Sequence, residues 1–246
     1  MDSALPAPAE LSPARRIVAA YVSPSALFED IRRNASWWPA FLLLVIGSVI
    51  FCFAVQKQVG WPRTYEAILR QTPKQEARMA QMQPAQAANA KAIAAKITAA
   101  SAWGSPVIIL VATAVSAAVL LGTLNFGFGG KARYGEIFSV YLYASLPLVI
   151  HSLLAVVALF AGLDTGSFLI TNPVGSNLGY YLPPETSKWM LAIATSFDLF
   201  TLWMLVLLAL GCFIVARVSR AAAATSVFGW WILLLIVKVG SAAFQG

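Results

Sequence analysis

Five apolar stretches punctuate the chain, at about 38–55, 106–126, 137–161, 196–216 and 223–244. Each comes close to or exceeds the ~20 residues that a helix needs to cross a bilayer. The pattern predicts an all-α, polytopic membrane protein: a bundle of five transmembrane helices, with the two ends of the chain on opposite sides. Ahead of the first stretch, Ser23-Pro24 supplies an N-cap and a proline at the first helical position, and Leu27, Phe28 and Ile31 fall on one face. This describes a short N-terminal interfacial helix, anchored by Arg32 and Arg33 and by Trp37 and Trp38. Residues 1–20 read as a disordered tail and 21–246 as one membrane domain. Between the first two spans, 56–105 forms a helical extramembrane loop. Thr72-Pro73-Lys74-Gln75 carries a helix-start signal and the segment after Pro84 is Ala-rich, so two helices broken near Pro84 are expected.

Composition agrees. The chain is 246 residues, 59% hydrophobic and 11% charged, with a mean hydropathy of +0.75, against about 25% charged in an ordinary soluble domain. No cleavable signal is expected at the N-terminus, and the first span would serve as its own insertion signal. The net charge of +7 comes without a Lys/Arg-rich block, so no nucleic-acid partner is implied; Arg15-Arg16 and Arg32-Arg33 fit a membrane surface better. Charge placement bears on orientation. With the N-terminus in the cytoplasm, eight basic residues lie inside (Arg15, Arg16, Arg32, Arg33, Lys131, Arg133, Arg217, Arg220), against Lys188 and Lys238 outside. The 56–105 loop adds seven more outside, in a segment long enough that the rule weakens. The reading is N-terminus inside and C-terminus on the far side of the cell (inner) membrane.

Candidate chemistry is sparse. There is one histidine, and no HExxH, GxSxG, CxxC or phosphate-loop pattern. The chain reads as a non-enzyme with no cofactor and no metal. Cys52 and Cys212 fall at different depths and are expected not to bridge. On span two, Ala114, Ala118 and Gly122 recur four apart, a face for close helix packing. Pro147 is expected to kink span three. Spans four and five are joined by the tight basic turn Arg217-Val218-Ser219-Arg220. Counted up from that turn, Asp198 and Lys238 both stand roughly 27–29 Å away, and His151 lies somewhat lower. One reading makes Asp198, Lys238 and His151 an intramembrane polar site. The simpler one makes Asp198 the N-terminal cap of span four, with Lys238 reaching to the far interface.

The chain also resembles the Yip family of membrane proteins, named for interaction with Ypt/Rab-type GTPases, in its bacterial branch. The resemblance rests on Pro24, Phe28 and Ile31 leading into Ser36-Trp37-Trp38-Pro39, and on Tyr134, Phe138 and Tyr141 entering the middle span. It continues in Phe197-Asp198-Leu199-Phe200-Thr201-Leu202-Trp203, a basic turn, and Phe228-Gly229-Trp230-Trp231. It implies a five-helix bundle with a cytoplasmic N-terminus and a short exoplasmic C-terminus. The acidic Asp-Leu-Tyr-Gly-Pro type stretch of eukaryotic relatives is missing, so Rab binding is not implied. Two functions follow. One is a membrane adaptor or organiser whose partners are the lipid bilayer and a protein, or a second copy of itself. The alternative is a small transporter, channel or lipid-moving protein using Pro147, His151, Asp198 and Lys238.

Overall fold

The computed structural model describes residues 10–245 apart from 163, 164, 167 and 184. Twelve α-helices and no strand occur among the described residues. Five segments are long and apolar enough to cross a membrane: α3 (Trp38–Gln58), α7 (Ser105–Gly122) running on through a π-turn to Gly127, the pair α8 (Tyr134–Ala144) and α9 (Pro147–Phe160), α11 (Leu199–Ala216) and α12 (Arg220–Gln245). The remaining helices are α1 (Pro13–Val22), α2 (Pro24–Arg33), α4 (Trp61–Arg70), α5 (Pro73–Ala80), α6 (Pro84–Trp103) and α10 (Lys188–Ser196).

Proline marks the starts. Eight of the twelve helices carry one at their first or second position, where no backbone N–H is needed: α1 to α7 and α9. The loop between spans one and two accordingly contains three helices, α4 to α6, with a break at Pro84 and another at Gln71-Thr72. Within span three, Pro147 follows a break at Ser145-Leu146. There Leu146, Leu148 and Val149 donate three residues back instead of four. The break lets the two halves pack differently: α8 lies against α7, α11 and α2, and α9 against α3.

Of the expected tail over 1–20, residues 1–9 lie outside the described residues, and the rest departs from the expectation. Residues 13–22 form α1, and α1 and α2 fold back on each other as a helical hairpin with Ser23 at its tip. The expected helix over Pro24–Arg33 is present, and its apolar face goes inward, with Leu27, Phe28 and Ile31 fully buried against α8 and α11. Gly211 on α11 makes room for it. A Cβ there would collide with Val140 and stand 3.1 Å from Phe28. The hairpin base sits level with Trp37, where Ser139 donates to the Ala35 carbonyl at 2.9 Å. At its tip, Tyr21 donates to the Leu146 carbonyl at 2.9 Å and meets the Trp203 ring edge-on. From Arg33 to Pro24 the helix rises roughly 14 Å. With the membrane boundary at the Trp37-Trp38 belt, that is about half of a ~30 Å hydrocarbon core. Val18 and Val22 point outward and remain exposed, as suits a hairpin bordered by lipid.

The face of α7 that packs is also not the expected one. Thr113, Ala117, Leu120 and, in the π-turn, Leu124 are buried, while Ala118 is exposed and Gly122 has open space around it. The small-residue stripe is one step round the helix from the contact.

Candidate functional site

Asp198 lies just ahead of α11 and not inside it. The chain breaks at Phe197 between α10 and α11, which explains the overlong apolar run. Asp198 Oδ1 accepts the Phe200 and Thr201 N–H groups at 3.0 and 3.1 Å. The carboxylate is thus the N-cap of span four, where the helix dipole favours negative charge. Its second oxygen accepts from Ser176 Oγ and, at 3.5 Å, from Asn177 Nδ2, which also donates to Asn172 Oδ1 at 2.8 Å. Leu199 N–H donates to the Ser176 carbonyl at 3.1 Å. One carboxylate therefore starts the helix and pins the preceding 172–177 loop onto it. Burial works against its charge, but the hydrogen bonds from Ser176 and the Thr201 N–H, with His151 nearby and Asn177, outweigh that and hold the carboxyl below the usual carboxylate range.

Lys238 takes other partners. Its ammonium donates to Ser196 Oγ at 2.9 Å and Thr195 Oγ1 at 3.4 Å, both on α10. The four ion pairs among the described residues do not include it. His151 packs edge-on against Phe200, ring centres 5.3 Å apart, close enough to Asp198 for the two to interact electrostatically. The structure thus brings His151 toward Asp198 and leaves Lys238 on separate hydroxyls. At the opposite end, Trp37 lies beside the Phe41 and Phe138 rings, and both Trp37 and Trp38 are exposed. Arg32 pairs with Glu29 at 2.8 Å, and Arg33 with Asp30 at 3.2 Å.

The most deeply buried charges were not among the expected residues. Arg16 and Asp30 form an ion pair at 2.8 Å across the hairpin, their side chains 3% and 0% exposed. Asp30 Oδ1 also accepts the Leu11 N–H at 3.2 Å, and Arg16 donates to the Ser36 carbonyl at 3.2 Å. Next to it, Glu136 closes the start of α8 by accepting the Arg133 N–H at 2.7 Å, and Arg133 reaches the Arg32 carbonyl at 3.1 Å. Charge thus fastens the hairpin base to span three. A sequence signal for the hairpin did exist: Ser12-Pro13 and Ser23-Pro24 are the same helix start repeated after eleven residues.

No group of three or more His, Cys, Asp or Glu side chains able to hold a metal occurs among the described residues. Cys52 and Cys212 are free and buried on different helices. Five apolar helices and a hairpin inserted among them define an integral, multi-pass membrane protein. Comparison with protein families narrows this: the Yip1 domain matches residues 18–240, nearly the whole chain, and the protein belongs to that family. Neither a curated protein nor a solved structure matches it.

Proposed function

We propose that this Yip1-domain protein is a non-enzymatic membrane adaptor or organiser, which binds protein or lipid partners through the outer surfaces of its spans. The observation that carries this reading is the use made of its ionisable groups. Asp198 caps a helix and pins a loop, Lys238 sits on two hydroxyls, and Arg16 and Asp30 bind the hairpin. Each has its partners within the chain, and Lys238 does not join His151 and Asp198 on a shared path, which weighs against the transporter or channel reading. Because Leu27, Phe28 and Ile31 are enclosed, the N-terminal helix offers a partner little apolar surface. Span five offers much more: only 6% of its apolar window is buried.

We further propose residence in the cell (inner) membrane, with the N-terminus cytoplasmic and the C-terminus on the far side. This is supported by Arg32, Lys131, Arg133 and Arg217, which gather at the hairpin end, where Arg133 meets the Arg32 carbonyl and Lys131 N–H meets the Ala216 carbonyl at 3.0 Å. The test is in-membrane crosslinking at native expression level, followed by purification and mass spectrometry. A recurrent near-stoichiometric protein product, hetero or homo, is expected. Recovery of lipid alone, together with solute or lipid flux in proteoliposomes that Asp198→Asn or Lys238→Met abolishes, would overturn the reading.

A further inference from the structure

Beyond the hairpin tip, the bundle interior is not filled until Ala54, Val55 and Val59 close it against Leu159 and Phe168. A partly open cavity of about 590 Å³ lies between α3, α7, span three and α11, within the ~300–1,000 Å³ of ligand pockets. From Leu44 to Cys52 it follows α3 for roughly 12 Å. Its wall is apolar in effect. The serine hydroxyls that reach it are engaged already: Ser48 with Ser105, Ser145 with the Tyr141 carbonyl at 2.8 Å, Ser152 with the Leu148 carbonyl at 3.0 Å. A wall of that kind has little to offer water, and left empty it forfeits dispersion contacts. Inside a bilayer the matter at hand is hydrocarbon.

A second cavity of about 270 Å³ adjoins it, with Thr201 and Trp231 lining both. Its polar end consists of Lys238, Thr195 and Ser196. Lys238 is an ammonium without a carboxylate partner among the described residues. Standing roughly 27 Å along α12 from Arg220, it is at headgroup height. The Thr195 and Ser196 hydroxyls donate to the Leu191 and Ala192 carbonyls at 2.8 and 2.7 Å and so serve to hold the ammonium in place. A cation so held at the interface, opening onto an apolar slot that runs toward mid-bilayer, matches a phosphodiester with a chain attached.

We infer that the two cavities form one binding site for an anionic glycerophospholipid, its phosphate on Lys238 and one acyl chain in the slot between α3, α7, span three and α11. The site does not depend on the adaptor reading, since an organiser or a lipid-moving protein could equally hold such a lipid.

The test uses the full-length chain purified in detergent, with dioleoyl phosphatidylglycerol and dioleoyl phosphatidylcholine added at equal ratios, read by native mass spectrometry and thermal shift. Retention of phosphatidylglycerol over phosphatidylcholine by about tenfold is expected, the equivalent of one good charge contact. Lys238→Gln should lose the preference and Lys238→Arg keep it, while Ser152→Phe or Ala112→Phe, which fill the slot, should reduce retention of the lipid. Equal retention of the two lipids, or a preference unchanged in Lys238→Gln, would overturn the proposal. So would inorganic phosphate or chainless glycerophosphoglycerol stabilising the protein as well as the intact lipid, because the slot would then contribute nothing.

Discussion

The Arg16–Asp30 pair gives the sharpest test of how the hairpin is held. Replacing Asp30 with Asn leaves the guanidinium buried beside a neutral amide. Truncating one partner of a buried pair costs about 3–5 kcal/mol. The Asn oxygen can still accept the Leu11 N–H that Asp30 Oδ1 accepts at 3.2 Å, so the lower end, about 3 kcal/mol, is expected. Arg16→Met leaves the carboxylate only the more exposed Arg33 at 3.2 Å and the Leu11 N–H, and should cost a similar amount. The double variant Arg16→Met/Asp30→Leu removes both charges from a site where the side chains are 3% and 0% exposed. It should return close to the parent stability, a coupling of about 3 kcal/mol. In a chain of this length that amounts to a fall in Tm of about 6–12 °C for each single variant, measured on the purified protein in detergent. A second readout locates the loss. Val22 is 74% exposed at the hairpin tip, at mid-bilayer depth. A cysteine there should resist a charged maleimide in the parent and react once the pair is broken. Single losses under about 1 kcal/mol that simply add, with Val22→Cys equally reactive in parent and variants, would refute both the clamp and the depth assigned to the hairpin.

Other expectations follow from single contacts. Gly211→Ala puts a methyl against Val140 and Phe28, so thermal denaturation should show a loss of about 1–3 kcal/mol, partly restored by Phe28→Leu with Val140→Ala. Asp198→Ala should cost about 1–2 kcal/mol through loss of the cap, whereas Asp198→Asn keeps most of the cap. Because the folded carboxyl titrates below its unfolded value, the stability it contributes is complete above the ordinary carboxylate pKa and is lost as pH falls through the lowered one; a pH series of Tm on the Asn variant should lack that acid-side loss. Asp198→Asn and Lys238→Met should add within about 0.5 kcal/mol in a double-mutant cycle, since the two groups hold different partners. Pro147→Ala restores a backbone donor and would stabilise an ordinary helix, yet here it should lower Tm, because a straight span three cannot serve both the hairpin and α3. A higher Tm in that variant would show the break to be incidental.

The five spans were legible because crossing a bilayer imposes a length and an apolarity that no local detail can disguise. Helix starts were legible for a similar reason: proline at the first turn acts locally, and it marks α2, α5 and α6 as directly in the structure as in the chain. Partners across helices were not legible. Height along a helix follows from rise per residue, which is why Asp198 and Lys238 could be placed level. The direction a side chain takes around the axis depends on how neighbouring helices are rotated. That rotation sends Lys238 to Thr195 and Ser196, and it moves the packed face of α7 to Ala117, one residue from the stripe at Ala118. Arg16 and Asp30 were hidden more thoroughly. Each sits in a short polar helix that alone reads as surface, and only the fold-back at Ser23 makes a buried pair of them.

The hairpin and the cavity have a common origin in span three. Ahead of its break, α8 packs on α7 and α11 and accepts α2 into the space that Gly211 leaves. Past the break, α9 turns to α3, where Val149 meets Gly47. A straight helix could follow one of these sets of neighbours but not both. The chain fills the first half of the bundle with its own N-terminus and closes it with buried charge. In the second half it packs Phe168 against Ala54, Val55 and Leu159 at the far end only and leaves the stretch between open: Tyr21 ends on the Leu146 carbonyl, and Ser145 and Met204, next in line, already border the slot. Two halves of one interior, alike in being enclosed by the same spans, thus call for different fillings, one a peptide hairpin encoded in the chain and the other hydrocarbon that the bilayer provides.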